Sequence, residues 1–360
     1  MKKSISALLC IAAFAGMVFA QATAPVKSEI PAPEAPAVKL PPLPEVVATV
    51  GDTKILGSKI EKMISKLPAT VPASIQANMR QRALSSLVLN ALLENYVAKK
   101  GIKPTEADLK AVNERLETIA KQRNITAEEL MKSEGITKKD LEVQAAAQKL
   151  FEDSISKEKV DALVKAHPEY FNGTEVQASH ILVLCAPMSQ TKDAKAAYEK
   201  IKQIRDDIAA GKIKFDEAAN KFSECPSGKR KGEKDDTEYG DLGFFAFSKD
   251  GKMMMAPPFA VAAFATKVGE ISGIVRTQFG FHIIKVLNRK DANNKFETAQ
   301  ADEVAKMVLA SELQNAIFNQ TLEGCDLTID MDAFKAPEVE EPVAAPEAAP
   351  APAPAPAPVK

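Results

Sequence analysis

Between Ser74 and Lys100 apolar residues recur at Ile75, Met79, Leu84, Leu87, Val88, Ala91, Leu92 and Tyr96. The spacing is close to the 3.6-residue period and predicts a long helix that Gly101 closes. Before it, Val46-Val47-Ala48-Thr49-Val50, a turn at Gly51-Asp52 and a short run to Leu56 predict a small hairpin. Three later segments share one start chemistry: Thr105-Glu106-Ala107-Asp108, Thr126-Ala127-Glu128-Glu129 and Thr137-Lys138-Lys139-Asp140. In each, the Thr hydroxyl is placed to accept from the third helical amide, and the acid to return the bond and favour the positive helix end. They predict helices over 106–123, 127–133 and 138–154, with another over 157–166. From Glu175 the pattern changes to a strand (176–184), helices (192–210 and 215–222), a strand (242–247) and a short helix (258–265). Residues 273–275 then lead through Gly280 into a strand over 281–287. That is an α+β order with few parallel crossovers. Helical spacing returns over 295–323, a segment positioned to pack back on the N-terminal helices and close a discontinuous helical domain.

The ends of the chain add a different kind of information. Met1-Lys2-Lys3 is a basic start, residues 5–19 are apolar, and Val18-Phe19-Ala20 suits processing after Ala20, with Ala22 the alternative. Residues 1–20 therefore read as a cleavable leader and the protein as exported, most simply to a bacterial periplasm. The apolar run is too short for a comfortable transmembrane span, so no stable span is expected after the leader is removed. Cys10 follows Leu8-Leu9 rather than a small residue, which argues against a lipid anchor. Residues 21–44 are a Pro/Ala-rich linker, and 336–360 an Ala/Pro tail expected to be polyproline-II-like. The expected units between them are a helical domain (45–172), a mixed domain (175–290) and a C-terminal helix (295–330).

Charge narrows the partners. With 47 basic and 48 acidic residues in 360, there is no bulk electrostatic case for nucleic acid or an anionic membrane surface. Beyond the leader remain Cys185, Cys225 and Cys325, an odd number that leaves at least one thiol free or paired with another chain. Oligomeric state is not legible.

Of the three histidines, two lie in apolar strand-like runs: Gln177-Ala178-Ser179-His180-Ile181-Leu182-Val183 and Phe279-Gly280-Phe281-His282-Ile283-Ile284. A buried imidazole left unpaired costs about 1–3 kcal/mol, and two such strands in one sheet can supply each other's partner. Satisfied core histidines are the plain alternative. Two His and one Cys make a poor metal set, so neither metal nor cofactor is expected. His167, before Pro168, reads as a surface residue, and Phe244, Phe245 and Phe264 as core.

Six ordered segments carry a resemblance. They are Ala178-Ser179-His180-Ile181-Leu182-Val183, Phe222-Ser223-Glu224-Cys225-Pro226-Ser227, Gly240-Asp241-Leu242-Gly243-Phe244-Phe245, Pro258-Phe259-Ala260-Val261-Ala262-Ala263-Phe264, Gly269-Glu270-Ile271-Ser272-Gly273 and Thr277-Gln278-Phe279-Gly280-Phe281-His282-Ile283-Ile284. Together they resemble the parvulin family of peptidyl-prolyl isomerases over 177–286. The wider plan resembles exported foldases of the SurA and PrsA type. The resemblance implies an α+β parvulin domain, a small mostly antiparallel sheet flanked by helices, inserted in or following an α-helical chaperone-like domain. It implies a site in which His180 and His282 form a hydrogen-bonded pair, Thr277 and Cys225 complete a polar floor, and Leu242, Met255, Phe259 and Phe279 surround a proline ring. The expected partners are unfolded or partly folded exported proteins with Xaa-Pro bonds. Two departures stand out: the lengthened mixed-charge loop 229–238, and Leu184-Cys185-Ala186-Pro187-Met188 where phosphate-reading members carry a basic cluster. The alternatives are a non-catalytic peptide clamp built on the same fold and, from another class, a thiol enzyme using Cys225.

Overall fold

The computed structural model describes residues 40–65, 71–229 and 239–334. The expected leader (1–20), residues 21–39 of the expected linker, residues 230–238 of the charged loop and the Ala/Pro-rich stretch 336–360 lie outside the described residues. Strands β1 (Val46–Val50) and β2 (Thr53–Leu56) form the expected hairpin. An unexpected helix, α1 (Gly57–Ile64), follows; it has no side-chain cap that could have announced it. Helix α2 (Ala73–Lys100) buries Leu84, Leu87, Val88, Ala91 and Leu92 against β1 and β2, and Gly101 ends it with its amide on the Ala98 carbonyl.

Helices α3 (Glu106–Gln122), α4 (Ala127–Glu134) and α5 (Lys138–Ser154) each begin with the complete two-way cap expected from Thr105/Asp108, Thr126/Glu129 and Thr137/Asp140. The amide and hydroxyl of Thr105 hold the Asp108 carboxyl below its ordinary value, as those of Thr126 do for Glu129. Val112, Leu116, Ala120, Leu130, Leu141 and Ala145 make the core of these three helices. Helix α6 (Lys157–Ala166) leads to His167, which is half-buried rather than free on the surface: it stacks on Tyr170 and its Nδ1 lies 2.9 Å from Glu169 Oε1.

The second sheet comprises β3 (Glu175–Leu184), β4 (Asp241–Ala246), β7 (Val275–Thr277) and β8 (Gly280–Lys290), in the antiparallel order β4-β3-β8-β7. Helices α7 (Thr191–Ala209) and α8 (Phe215–Phe222) cover one face, where Ile181, Val183, Phe281 and Ile283 meet Ile201, Ile204 and Phe215. The other face packs Val176, Ala178, Ile284 and Val286 against Phe259, Ala263 and Phe264 of α9 (Pro257–Ala265). A two-strand ribbon, β5 (Ser248–Lys249) and β6 (Lys252–Met253), precedes α9. Phe245 and Phe264 are core as expected, but Phe244 is only half-buried, with Lys290 Nζ 3.6 Å from its ring centroid. It alternates with Phe245 along β4 and so faces away from the core that Phe245 joins.

Helix α10 (Thr298–Asn319) joins the two bodies of the molecule. Val304 and Val308 pack in the core beside α9, whereas Leu313, Ile317 and Phe318 pack in the core of β1 and α2. Beyond it β9 (Leu327–Ile329) pairs antiparallel with β1, Ala48 opposite Ile329 and Val50 opposite Leu327, completing a β2-β1-β9 sheet.

Candidate active site

The register of β3 and β8 sets Leu182 opposite His282 and His180 opposite Ile284. The two histidines are therefore diagonal neighbours on one face of the sheet. Their Nδ1 atoms are 3.2 Å apart, and each ring is almost wholly buried, His180 5% and His282 3% exposed. Phe259 stands over both at ring-centroid distances of 5.4 Å and 5.5 Å, with interplanar angles of 86° and 78°. Burial pushes His180 down to about 4; burial and the neighbouring His180 push His282 down to about 3. Both imidazoles are neutral at pH 7.

Each neutral ring has one N–H and one bare nitrogen, so the outer atoms also need partners. His282 Nε2 lies 2.8 Å from Thr277 Oγ1, and His180 Nε2 lies 3.0 Å from Ser227 Oγ. Ser227 Oγ in turn donates to Cys225 Sγ at 3.1 Å, and the Phe279 amide donates to Thr277 Oγ1 at 3.1 Å. One direction of protons satisfies every atom: Thr277 O–H to His282 Nε2, His282 Nδ1–H to His180 Nδ1, His180 Nε2–H to Ser227 Oγ, Ser227 O–H to Cys225. Assigned from the network in this way, each ring carries its proton on a defined nitrogen.

Backbone geometry holds the chain of bonds in place. Gly240, at φ +82°, accepts from the His180 amide and donates to the Ser227 carbonyl; a Cβ there would lie 2.6 Å from the His180 carbonyl oxygen. Gly280, at φ +145°, turns β7 into β8 so closely that a Cβ would run into the Val183 carbonyl oxygen. Ser223 Oγ accepts from the amides of Leu182 and Cys225, and the Glu224 amide donates to the Leu182 carbonyl, which fixes the loop beside β3.

The structure brings together His180, His282 and Thr277 directly. Cys225 reaches the pair only through Ser227, so no imidazole is bonded to its sulfur. Leu242 and Met255 are half-buried against the core that contains Phe259, and Phe279 is 48% exposed on the turn beside Thr277. Ser227 escaped the sequence reading. It belongs to the Ser223–Ser227 motif, but its position depends on a single 3₁₀ turn over Pro226–Lys229 that carries no periodic signal. Among the described residues no group of three or more His, Cys, Asp or Glu could hold a metal ion.

A four-stranded antiparallel sheet thus carries a buried, neutral histidine pair beneath the ring of Phe259. Residues 180–288 match the rotamase family described as the PPIC-type PPIASE domain. The isomerase Pin1 of Malus domestica is 40% identical over 126 residues, 31% of this chain and 93% of that protein. The foldase PrsA of Bacillus subtilis is 30% identical over 272 residues, covering 73% of this chain and 82% of its relative. The chaperone SurA of Alkalilimnicola ehrlichii is 25% identical over 268 residues, 69% of this chain and 58% of that one. The chain belongs to the parvulin family of peptidyl-prolyl cis-trans isomerases, with the PrsA and SurA foldases among its relatives. It is a peptidyl-prolyl isomerase and folding chaperone.

Proposed function

We propose that His180, His282, Thr277, Ser227 and Cys225 form the floor of the proline site and Leu242, Met255, Phe259 and Phe279 its walls. The observation that carries this reading is the buried, uncharged histidine pair closed at both ends by hydroxyls beneath Phe259. Rotation about a prolyl amide meets a barrier of about 18–20 kcal/mol, because the planar form is held by resonance. In the twisted form the nitrogen regains its lone pair and the carbonyl loses polarity. Dry apolar walls favour that form over the solvated planar one, and fixed neutral dipoles below need no reorganisation. No proton has to leave the floor, and Cys225, whose sulfur accepts from Ser227, acts as a hydrogen-bonding group rather than a nucleophile.

The substrates in this reading are Xaa-Pro bonds of unfolded or partly folded exported proteins, met outside the cytoplasm, in keeping with a leader at 1–20. Among the described residues no helix is long and apolar enough to cross a membrane. Unphosphorylated sequences suit the rim: the Leu184 amide already donates to Glu224 Oε2, Glu224 pairs with Lys200, and Leu184 is 55% exposed. A second phosphate-like anion would meet a carboxylate there. Client chain is held by the helical part (45–172 with 295–330), where a cleft of about 750 Å³ is lined by Met63, Leu87, Leu116, Ile119, Leu130 and Ile136. Met63 is 43% exposed there, while Met131 and Met79 are half-buried.

The test is the isomerisation rate of a short unphosphorylated Xaa-Pro peptide with the full chain, His180→Ala and Met255→Ala. Loss of rate in both variants, with folding retained, is expected. Unchanged rates in both would move the site elsewhere, and a wild type that binds peptide without turning it over would favour the clamp.

A further inference from the structure

Strand β7 is three residues long, and Arg276 is its middle residue. Arg276 is only 7% exposed, yet every bond its guanidinium makes ends on a neutral oxygen. Nη1 donates to the Phe318 carbonyl at 2.9 Å and to Asn319 Oδ1 at 3.2 Å, and Nη2 donates to the Pro187 carbonyl at 3.1 Å. The flanking rings are Phe281 and Phe318, at 5.4 Å and 5.9 Å. Phe318 and Asn319 are the last two residues of α10, at the negative end of the helix dipole, where the Phe318 carbonyl also accepts from the Thr321 amide and hydroxyl. The backbone is gripped as well: Asn315 Nδ2, one turn earlier on α10, donates to the Arg276 carbonyl at 3.0 Å.

A buried cation without a carboxylate is an expensive way to fill space, and an apolar side chain would fill it as well. What arginine adds is geometry, because its planar fork fixes three acceptors at once. Those acceptors lie on α10 and on the loop after β3. Phe318 is itself packed in the core of β1 and α2. On the other side, the next residue along β7 is Thr277, whose hydroxyl meets His282 Nε2. One peptide unit therefore separates the clamp on α10 from the floor of the site.

We propose that Arg276 is a positioning residue that carries the seating of α10 in the helical body to Thr277, and so to the histidine pair. This rests on the reading of that pair as the floor of the proline site. Turnover then depends on a helix that makes no hydrogen bond to either histidine of the pair.

The experiment uses the full chain with Arg276→Leu, Arg276→Lys, Asn315→Ala and Asn319→Ala, and reads two quantities. One is kcat and KM on the short Xaa-Pro peptide. The other is the nitrogen NMR spectrum of the His282 ring, which reports the nitrogen that carries the proton. Arg276→Leu is expected to lower kcat roughly tenfold with KM little changed, and to turn a single Nδ1–H tautomer into a mixture. Arg276→Lys recovers part of both, and the two asparagine variants move both in the same direction by less. A folded Arg276→Leu with wild-type kcat and tautomer overturns the proposal. If that variant does not fold, wild-type behaviour of both asparagine variants overturns it. Full activity in His180→Ala would remove the reading of the floor instead, and the tautomer would still decide whether Arg276 sets Thr277.

Discussion

The two faces of the four-stranded sheet are made by alternate residues of the same strands, yet they hold different things. Under α7 and α8 Ile181, Val183, Phe281 and Ile283 pack in an apolar cluster, with the Arg276 guanidinium against the Phe281 ring at its edge. Under α9 the apolar row of Val176, Ala178, Ile284 and Val286 gives way to His180 and His282, with Thr277 and Ser227 behind them. The first face is the kind of surface that stabilises a fold, because most of what it buries is apolar area. The second interrupts such a surface with a run of five neutral groups joined by four hydrogen bonds. A strand with period-two alternation can keep these purposes apart within ten residues.

The comparison breaks most visibly at Ile283, which is fully buried on the apolar face. Ile283→Ala is expected to cost about 2–5 kcal/mol in denaturant unfolding, while turnover per folded molecule stays near that of the wild type. A loss of kcat in the folded variant would mean that the faces are not separable. Acid acts next, and on the other face alone. The histidines sit at about 4 and about 3 in the folded chain against 6.5 when unperturbed, so the unfolded state binds more protons between those values. Their contribution to stability is fully present above pH 6.5 and is lost as pH falls from 6.5, towards about 4 for His180 and about 3 for His282. Urea midpoints measured across that window should decline in the wild type and decline less in His180→Leu/His282→Leu; equal slopes would deny the pair its neutral state. The smallest effect is at Ser227. Ser227→Ala is expected to lower stability by about 1–3 kcal/mol and to slow peptide isomerisation severalfold, because the buried His180 Nε2 loses its partner. An unchanged rate would leave Ser227 as packing.

What could be read in advance follows the range of each interaction. The three capped helices were legible because Thr and acid sit three residues apart and the whole device is local. The pairing of His180 with His282 was legible because two largely apolar strands each carried one histidine. Helix α1 was not, since it starts at Leu56 and Gly57 without a cap. Strand β9 was not, since three residues show no period and its partner β1 lies near the other end of the chain. Ser227 and Arg276 share that difficulty. A serine after Cys-Pro and an arginine before Thr277 are ordinary in sequence, and only a turn and a distant helix end give them their partners.

The pairing of β9 with β1 also bears on the order in which the chain is put together. As a ribosome delivers the protein, Val46–Val50 emerges early with β2 on one side and an unfilled edge on the other. The residues that fill it, Leu327–Ile329, are delivered only after the whole histidine-bearing sheet, whose strands all lie between Glu175 and Lys290. That sheet is contiguous and can close while its host is still open, whereas the host pays the larger loop entropy and closes last. The order of the strands along the chain thus sets the whole histidine-bearing sheet ahead of the last strand of the sheet in which it is seated.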